Sequence, residues 1–258
     1  MPAIAIGALV MAVALVASLG LAGFAPQQAY ASGKKAVYVI TKTVTKYPDG
    51  HKAVSTYKYN SKGLLAKETG VDYGSDSTLK SETKYTYDKK PALKKEVFKS
   101  DLLSGSITYK SNGKGWVVKA SDGILPFGDT TTYKYNKKGQ LTQSNEDGTK
   151  SRYSYDKKGN LIKITEGSGS KKSVIQFKYD KKNNLVRQTV KGLLDTKYKN
   201  TYKSKRLKKQ VATDSDKSKR TIVYSYKKVS VPKNLVKMVN AQQAAIKCSG
   251  VPFATVHK

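Results

Sequence analysis

A short motif returns along most of this chain and limits what it can fold into more than any other feature. The segments Tyr57-Lys-Tyr-Asn-Ser-Lys-Gly-Leu64, Tyr85-Thr-Tyr-Asp-Lys-Lys-Pro91, Tyr133-Lys-Tyr-Asn-Lys-Lys-Gly-Gln-Leu141, Tyr153-Ser-Tyr-Asp-Lys-Lys-Gly-Asn-Leu161 and Phe177-Lys-Tyr-Asp-Lys-Lys-Asn-Asn-Leu185 align on aromatic-x-Tyr-[Asp/Asn]-x-Lys-Gly-x-Leu. Degenerate copies lie around Tyr109, around Tyr202 and at Tyr224-Ser-Tyr226. Read with second tyrosines at 59, 87, 109, 135, 155, 179, 202 and 226, the intervals are 28, 22, 26, 20, 24, 23 and 24 residues. A fixed period of this size marks a tandem architecture in which each copy is one supersecondary unit.

The parts of the motif specify that unit. Side chains alternate along a strand, so Tyr-x-Tyr puts two rings on one face. Asp-Lys-Lys-Gly fits a type I turn, with Asp or Asn in first place. Gly139 and Gly159 supply a left-handed residue, and Asn183 is tolerated in the same place. Asp88, Asp156 and Asp180 recur at one position as turn caps. The Leu after the turn opens a return strand. Polar, Gly-rich loops such as Glu146-Asp147-Gly148 and the stretch 166–170 close the other end. Each copy is therefore two antiparallel strands. The fold class expected is all-β, a repetitive antiparallel meander or ribbon of hairpins. From Pro232 to Lys247 apolar residues fall at 235, 236, 239, 244, 245 and 246 after a proline, which predicts a short helix. Its expected role is to cover an end of the sheet, where an open edge invites aggregation.

Three segments follow: a leader over 1–31, the repeat domain over 32–230 and a helical tail over 231–258. Residues 3–25 are almost wholly apolar, and Ala29-Tyr30-Ala31 before Ser32 fits small-x-small cleavage of a signal peptide. The chain is then secreted and extracellular, and retained at the cell surface by its charge. Membrane attachment follows only if 1–31 stays uncleaved, since about 20 apolar residues can span a bilayer. The lone Cys248 makes no internal disulfide and reads as a small apolar residue.

The motif Tyr153-Ser-Tyr-Asp-Lys-Lys-Gly-Asn-Leu161 resembles the YD (Rhs-type) repeat of bacterial surface proteins, over roughly residues 50–230. The resemblance is specific at 131–185 and weaker at 85–91, where Pro91 replaces Gly, and at 198–207, where the Tyr-Asp pair is lost. It implies a spiralling β-sheet ribbon, closed in large members into a shell around a toxin. It also implies carbohydrate binding and cell-surface contact. This chain is too short for such a shell and shows no recognisable toxin segment after its repeats.

Charge points to a partner. Lys+Arg number 49 against 18 Asp+Glu, a formal net charge of +31, and none of these residues lies in the first 31 positions. A field this positive selects anionic wall polymer, acidic polysaccharide, nucleic acid or acidic lipid. Export ranks nucleic acid below the surface polymers. In a meander the turns of one end recur every second strand, ~10 Å apart. Lys62, Lys89, Lys90, Lys137, Lys138, Lys157, Lys158, Lys181, Lys182 and Lys205 would then form one basic rim. The alternative is a structural surface or assembly module, with solvated lysines that keep edges apart. Trp116, Tyr133, Tyr135, Tyr153 and Tyr155 are candidates for stacking on sugars, or else form a cross-strand aromatic ladder.

Catalysis finds little support, and no cofactor is implied. His51, beside the Pro48-Asp49-Gly50 turn, and His257 have no partner at metal-ligand spacing. No nucleophile elbow, P-loop or dinucleotide fingerprint is present. A glycan-active enzyme would need two convergent carboxylates, such as Asp72 and Asp76.

Overall fold

The computed structural model describes residues 33–74, 77–89, 91–123, 130–167, 169 and 172–249. The expected leader, Lys90, Asp76, His257 and the Cys248 side chain lie outside the described residues. The strands are β1 (Lys34–Lys46), β2 (Lys52–Tyr59), β3 (Leu65–Tyr73), β4 (Thr78–Tyr87), β5 (Leu93–Ser100), β6 (Ser104–Ser111), β7 (Val117–Asp122) and β8 (Thr130–Tyr135). They continue as β9 (Leu141–Glu146), β10 (Thr149–Tyr155), β11 (Leu161–Glu166), β12 (Ser173–Tyr179), β13 (Leu185–Val190), β14 (Leu194–Lys203), β15 (Arg206–Thr213) and β16 (Lys219–Pro232). A 3-10 turn over Lys233–Leu235 leads into one helix, α1 (Val236–Ser249). All strand pairs are antiparallel and sequential, and β1 also pairs with β16, so the meander closes on itself as a barrel. The antiparallel hairpin architecture is as the repeat predicts.

One irregularity recurs in each repeat and accounts for the curvature. Pairing slips by one residue at the second aromatic. Lys58 faces Lys67 but Tyr59 faces Leu65, and the same slip falls at Tyr87, Tyr135, Tyr155, Tyr179 and Tyr202. A bulge bends its strand and raises local twist, so a bulge at one level of every hairpin coils the ribbon in one sense. The tyrosines pin it. The hydroxyls of Tyr87, Tyr135, Tyr179 and Tyr226 donate to the carbonyls of Leu65, Val117, Leu161 and Leu207 at 2.6–2.8 Å, each reaching the return strand of the preceding unit.

The bulge also corrects the alignment at Tyr109. Ser111 faces Val117 across the slip, while Tyr109 faces Ala120. Tyr109 therefore holds the first aromatic place, and Ser111 stands where the other units have their second tyrosine. With 111 in that place the intervals become 28, 24, 24, 20, 24, 23 and 24 residues.

The closing pair is a repeat unit cut in two. Tyr226 faces Ile40, Ser225 faces Lys42 and Thr41 is the extra residue, which is the pattern of Tyr59, Lys58 and Ala66. Tyr59 completes the equivalence by donating its hydroxyl to the Ile40 carbonyl at 2.5 Å. So β16 is the first strand of this unit, and β1, from the other end of the chain, is its return strand. Where other units turn, these strands run on, pairing to Lys34↔Pro232.

One face of that extension, Val37, Val39 and Val231, is buried with Leu64, Leu235, Met238 and Val239. The helix lies here, in the mouth of the barrel. Gln242 Oε1 accepts from Leu65 N at 3.0 Å and its Nε2 donates to Tyr87 Oη at 2.9 Å. Gln243 Oε1 accepts from Ile40 N at 2.6 Å, and Lys247 Nζ donates to Asn184 Oδ1 at 3.1 Å. This corrects the expected role of the tail. The sheet has no free edge to cover, because β1 has taken that place, and the helix plugs a mouth instead.

Gly63 shows how tightly the plugged side is built. Its φ is +78°, and a Cβ there would lie 2.6 Å from Val231 Cγ2. Gly159 holds the same turn position at φ +88° with its nearest neighbour, Gln140 Nε2, at 3.5 Å. Gly159→Ala should cost about 1 kcal/mol for the left-handed backbone alone. Gly63→Ala should cost at least roughly twice that, since Val231 must also move. Chemical denaturation of the two variants checks this; equal losses would mean that the turn does not pack on the extension.

Candidate functional site

The turns are built as the motif predicts. Asp156 Oδ1 accepts from the N–H groups of Lys158 and Asn160, and Asp180 Oδ1 from those of Lys182 and Asn184, at 2.8–3.0 Å. Asn60, Asn112 and Asn136 do the same in their turns. Burial alone would raise the Asp156 carboxyl, but hydrogen bonds from Asn160 and the turn N–H groups outweigh it and hold the group below the usual carboxylate range. The β14–β15 connection differs. Ser204 and Lys205, both at positive φ, form a two-residue turn between Lys203 and Arg206.

These turns fall at one end of the barrel and carry the predicted lysines with them. Lys62, Lys89, Lys137, Lys138, Lys157, Lys158, Lys181, Lys182 and Lys205 are all exposed; Lys90 lies outside the described residues. Contacts between adjacent turns fix their pitch: Asn160 Nδ2 donates to Asn183 Oδ1 at 3.2 Å, and Ser111 Oγ to Asp88 Oδ2 at 3.1 Å. Lys182 lies over the Tyr202 ring, 3.8 Å from its centroid.

A second set of cations was not foreseen. The residue between the two aromatics of a unit points outward, and so does the residue facing it across the sheet. Around the wall these places are filled by Lys58 with Lys67, Lys95, Lys110 with Lys119, Lys134, Lys163, Lys178 with Arg187, Lys209 and Lys42. Every unit contributes at least one cation. The level lies about two residues from the turns, so rim and belt form one basic collar. The signal was present in Tyr-Lys-Tyr, but only closure turns alternate lysines into a ring.

The predicted stacking residues face the other way. Tyr57, Tyr85, Tyr109 and Tyr133 are buried side by side in the inner wall, with Tyr59, Tyr87, Tyr135 and Tyr153 packed on them. Tyr155 also stands on this face, two residues from Tyr153. Desolvation raises the phenols of Tyr57, Tyr85, Tyr133, Tyr135, Tyr153 and Tyr155. They form the cross-strand ladder and meet a ligand only within the lumen. Trp116 lies at the plugged mouth, 5.4 Å from the Tyr135 centroid, with Lys114 Nζ 5.1 Å from its own ring. Two acids share this wall. Glu68 and Glu96 face Tyr57 and Tyr85, and desolvation pushes their carboxyls up to about 7 and about 8.

Of the carboxylates weighed for catalysis, Asp72 contacts His51 Nε2, and Asp76 lies outside the described residues. Among the described residues no group of three or more His, Cys, Asp or Glu side chains is placed to hold a metal.

Among solved structures, a porin-like protein from Bacteroides uniformis ATCC 8492 is similar at 16% identity and a TM-score of 0.54, over 73% of this chain and 98% of that one. The likeness is one of fold. A bilayer-spanning barrel has an apolar outer band, and a lysine at mid-depth costs about 2–4 kcal/mol. This wall carries polar residues outward along its strands, as at Lys80, Glu82 and Lys84 on β4, and tyrosines on its inner face. Crystal structures of TcdB2-TccC3 and TcdB2-TccC3-Cdc42 align at 13% and 14% identity with TM-scores of 0.34 and 0.32. They cover 64% and 62% of this chain and 10% and 9% of theirs. No curated protein matches the chain. The RHS Repeat family model matches residues 135–171, the stretch with the best-kept copies of the motif. The match identifies a YD (Rhs-type) repeat at residues 135–171, and the turn chemistry and tyrosine placement found there recur in the neighbouring units.

Proposed function

We propose that this protein is a non-catalytic binder of anionic polymer at the cell surface, and that the lysine collar is its contact surface. The observation that carries the reading is the repetition of exposed turn lysines at one end of a closed ring, above a belt that draws at least one cation from every unit. A flexible polyanion such as a wall polymer or an acidic polysaccharide can follow such a collar without any single contact being exacting. Lysine suits that task, being a mobile point charge rather than a planar fork. Closure adds direction, because among the described residues the Lys-Lys turns gather at one mouth.

The test is retention on immobilised heparin or purified anionic wall polymer against a salt gradient. Binding that depends on released counterions weakens steeply with salt. Replacing Lys157, Lys158, Lys181 and Lys182 together by Gln should weaken binding at low salt roughly tenfold or more and flatten its salt dependence. Elution of the unmodified protein at low ionic strength would sink the reading and favour a structural module with solvated lysines.

A further inference from the structure

The mouth opposite the collar holds polar side chains that no repeat requires. Tyr47 and His51 come from the β1–β2 turn, Asp72 from β3, Asp214 from the β15–β16 turn and Arg220 from β16. Pairing places them together: Thr45 faces Ile222 and Lys46 faces Thr221, so Tyr47 comes beside Arg220. The Tyr47 and His51 rings stack with centroids 4.7 Å apart and planes at 17°. His51 contacts Asp72, and Asp214 accepts from both Thr196 and Arg220 Nη1. Burial raises the Tyr47 phenol, while Arg220 lowers it and Asp72 raises it further, as their closeness requires.

Arg220 is the anomaly in this group. It is 5% exposed, and its Nε and Nη2 have no acceptor among the described residues. Those two N–H groups lie on one edge of the guanidinium, the edge that grips a carboxylate in the side-on bidentate pair. The same chain shows the pair made. On the outer wall Arg187 donates Nε to Asp195 Oδ1 at 2.8 Å and Nη2 to Asp195 Oδ2 at 2.6 Å. Arg220 spends only Nη1 on Asp214 and keeps that edge for something else. Charged donors without acceptors in a buried place are costly, and an arginine with no further task would be expected to use its fork on Asp214. The surroundings reach solvent. The His51, Asp72 and Asp214 side chains are 19%, 16% and 20% exposed. Both carboxylates are already engaged, by His51 and by Thr196 with Arg220.

We propose that Arg220 anchors a carboxylate-binding site in this mouth, taking the two oxygens of a planar carboxylate on its Nε and Nη2 edge, beside the stacked Tyr47 and His51 rings. Two kinds of molecule carry that group: an acidic sugar, whose ring can lie against an aromatic, and a peptide C-terminus. The site is independent of the polymer collar at the other mouth.

Calorimetric titration of the full chain with glucuronate, glucose and N-acetylalanine tests it. Glucuronate should bind at least tenfold more tightly than glucose, which differs by lacking the carboxylate. N-acetylalanine binding as well as glucuronate would identify the carboxylate alone as the determinant; weaker binding would identify the acidic sugar. Arg220→Lys keeps the charge and the Asp214 pair but loses the fork, so it should weaken carboxylate binding tenfold or more with the melting temperature preserved. The K157Q/K158Q variant, altered only in the collar, should bind glucuronate as the unmodified chain does. Equal response to glucuronate and glucose, no response to either carboxylate at millimolar concentration, or an unchanged Arg220→Lys variant would each overturn the site.

Discussion

A chain lacking residues 34–46 is expected to lose its cooperative fold, although every complete copy of the motif remains in it. Its loss leaves β2 and β16 as open edges and strips the β1 partners of β16 from Thr221 to Pro232, of which only the stretch up to Val223 keeps a partner in β15. It also removes Ile40, fully buried, whose carbonyl holds Tyr59 and whose N–H holds Gln243. Seam, plug and first repeat fail together, and unpaired edges promote association. Near-UV circular dichroism should lose the signal of ordered tyrosines, and size exclusion should show aggregation. A peptide of residues 34–46 added in trans should restore both, because its contacts are those of a whole repeat and need no covalent turn. A truncated chain that melts like the intact one would refute the split-unit closure.

Alkaline conditions should weaken the barrel through Glu68 and Glu96. Burial in the inner wall lifts their carboxyls to about 7 and about 8 from an ordinary value of 4.5. Their mutual repulsion adds to the rise at Glu96. Between about pH 4.5 and 8 the folded state therefore holds more protons than the unfolded one, and stability falls as pH rises. The contribution is fully present below 4.5 and lost above about 8. Replacing both by Gln removes the titration at nearly constant shape. The double variant should match the unmodified protein near pH 4.5 and exceed it at pH 8.5 by on the order of a few kcal/mol, roughly 5–10 °C in melting temperature. Parallel melting curves of the two proteins across this range would show that the carboxyls are solvated in the folded state.

The hairpin unit was legible in the sequence because its determinants are local. Asp or Asn, Gly and Leu sit within six residues of one another, and turn chemistry and alternation act at that range. The lysine rim followed from the same spacing. Closure was not legible, because β1 carries only the return half of a unit. Val37-Tyr38-Val39-Ile40 has neither the aromatic pair nor the turn that identify other copies, and its partner lies almost two hundred residues away. The helix itself was legible from its apolar spacing after Pro232, but its place was not, because the edge it would cover is filled by β1. At Tyr109 a degenerate copy slid by two residues, since one tyrosine fits either place of the pair and only the bulge at Ser111 decides. Tyr47, His51, Asp72, Asp214 and Arg220 belong to no motif. They converge because the two ends of the chain share a seam.

That seam makes ring size a free variable. Its bulge and tyrosine staple are those of any internal junction, so β16 and β1 would meet equally well around a ring with one hairpin more or fewer. Each added hairpin would lengthen the circumference by about 10 Å or more and the diameter by roughly 3 Å. The helix is the exception. It holds Leu65 and Ile40 through Gln242 and Gln243, and five residues later reaches Asn184 on a far unit through Lys247. Its reach is cut to one diameter, and it acts as the gauge that selects this ring from the series the repeats alone would allow.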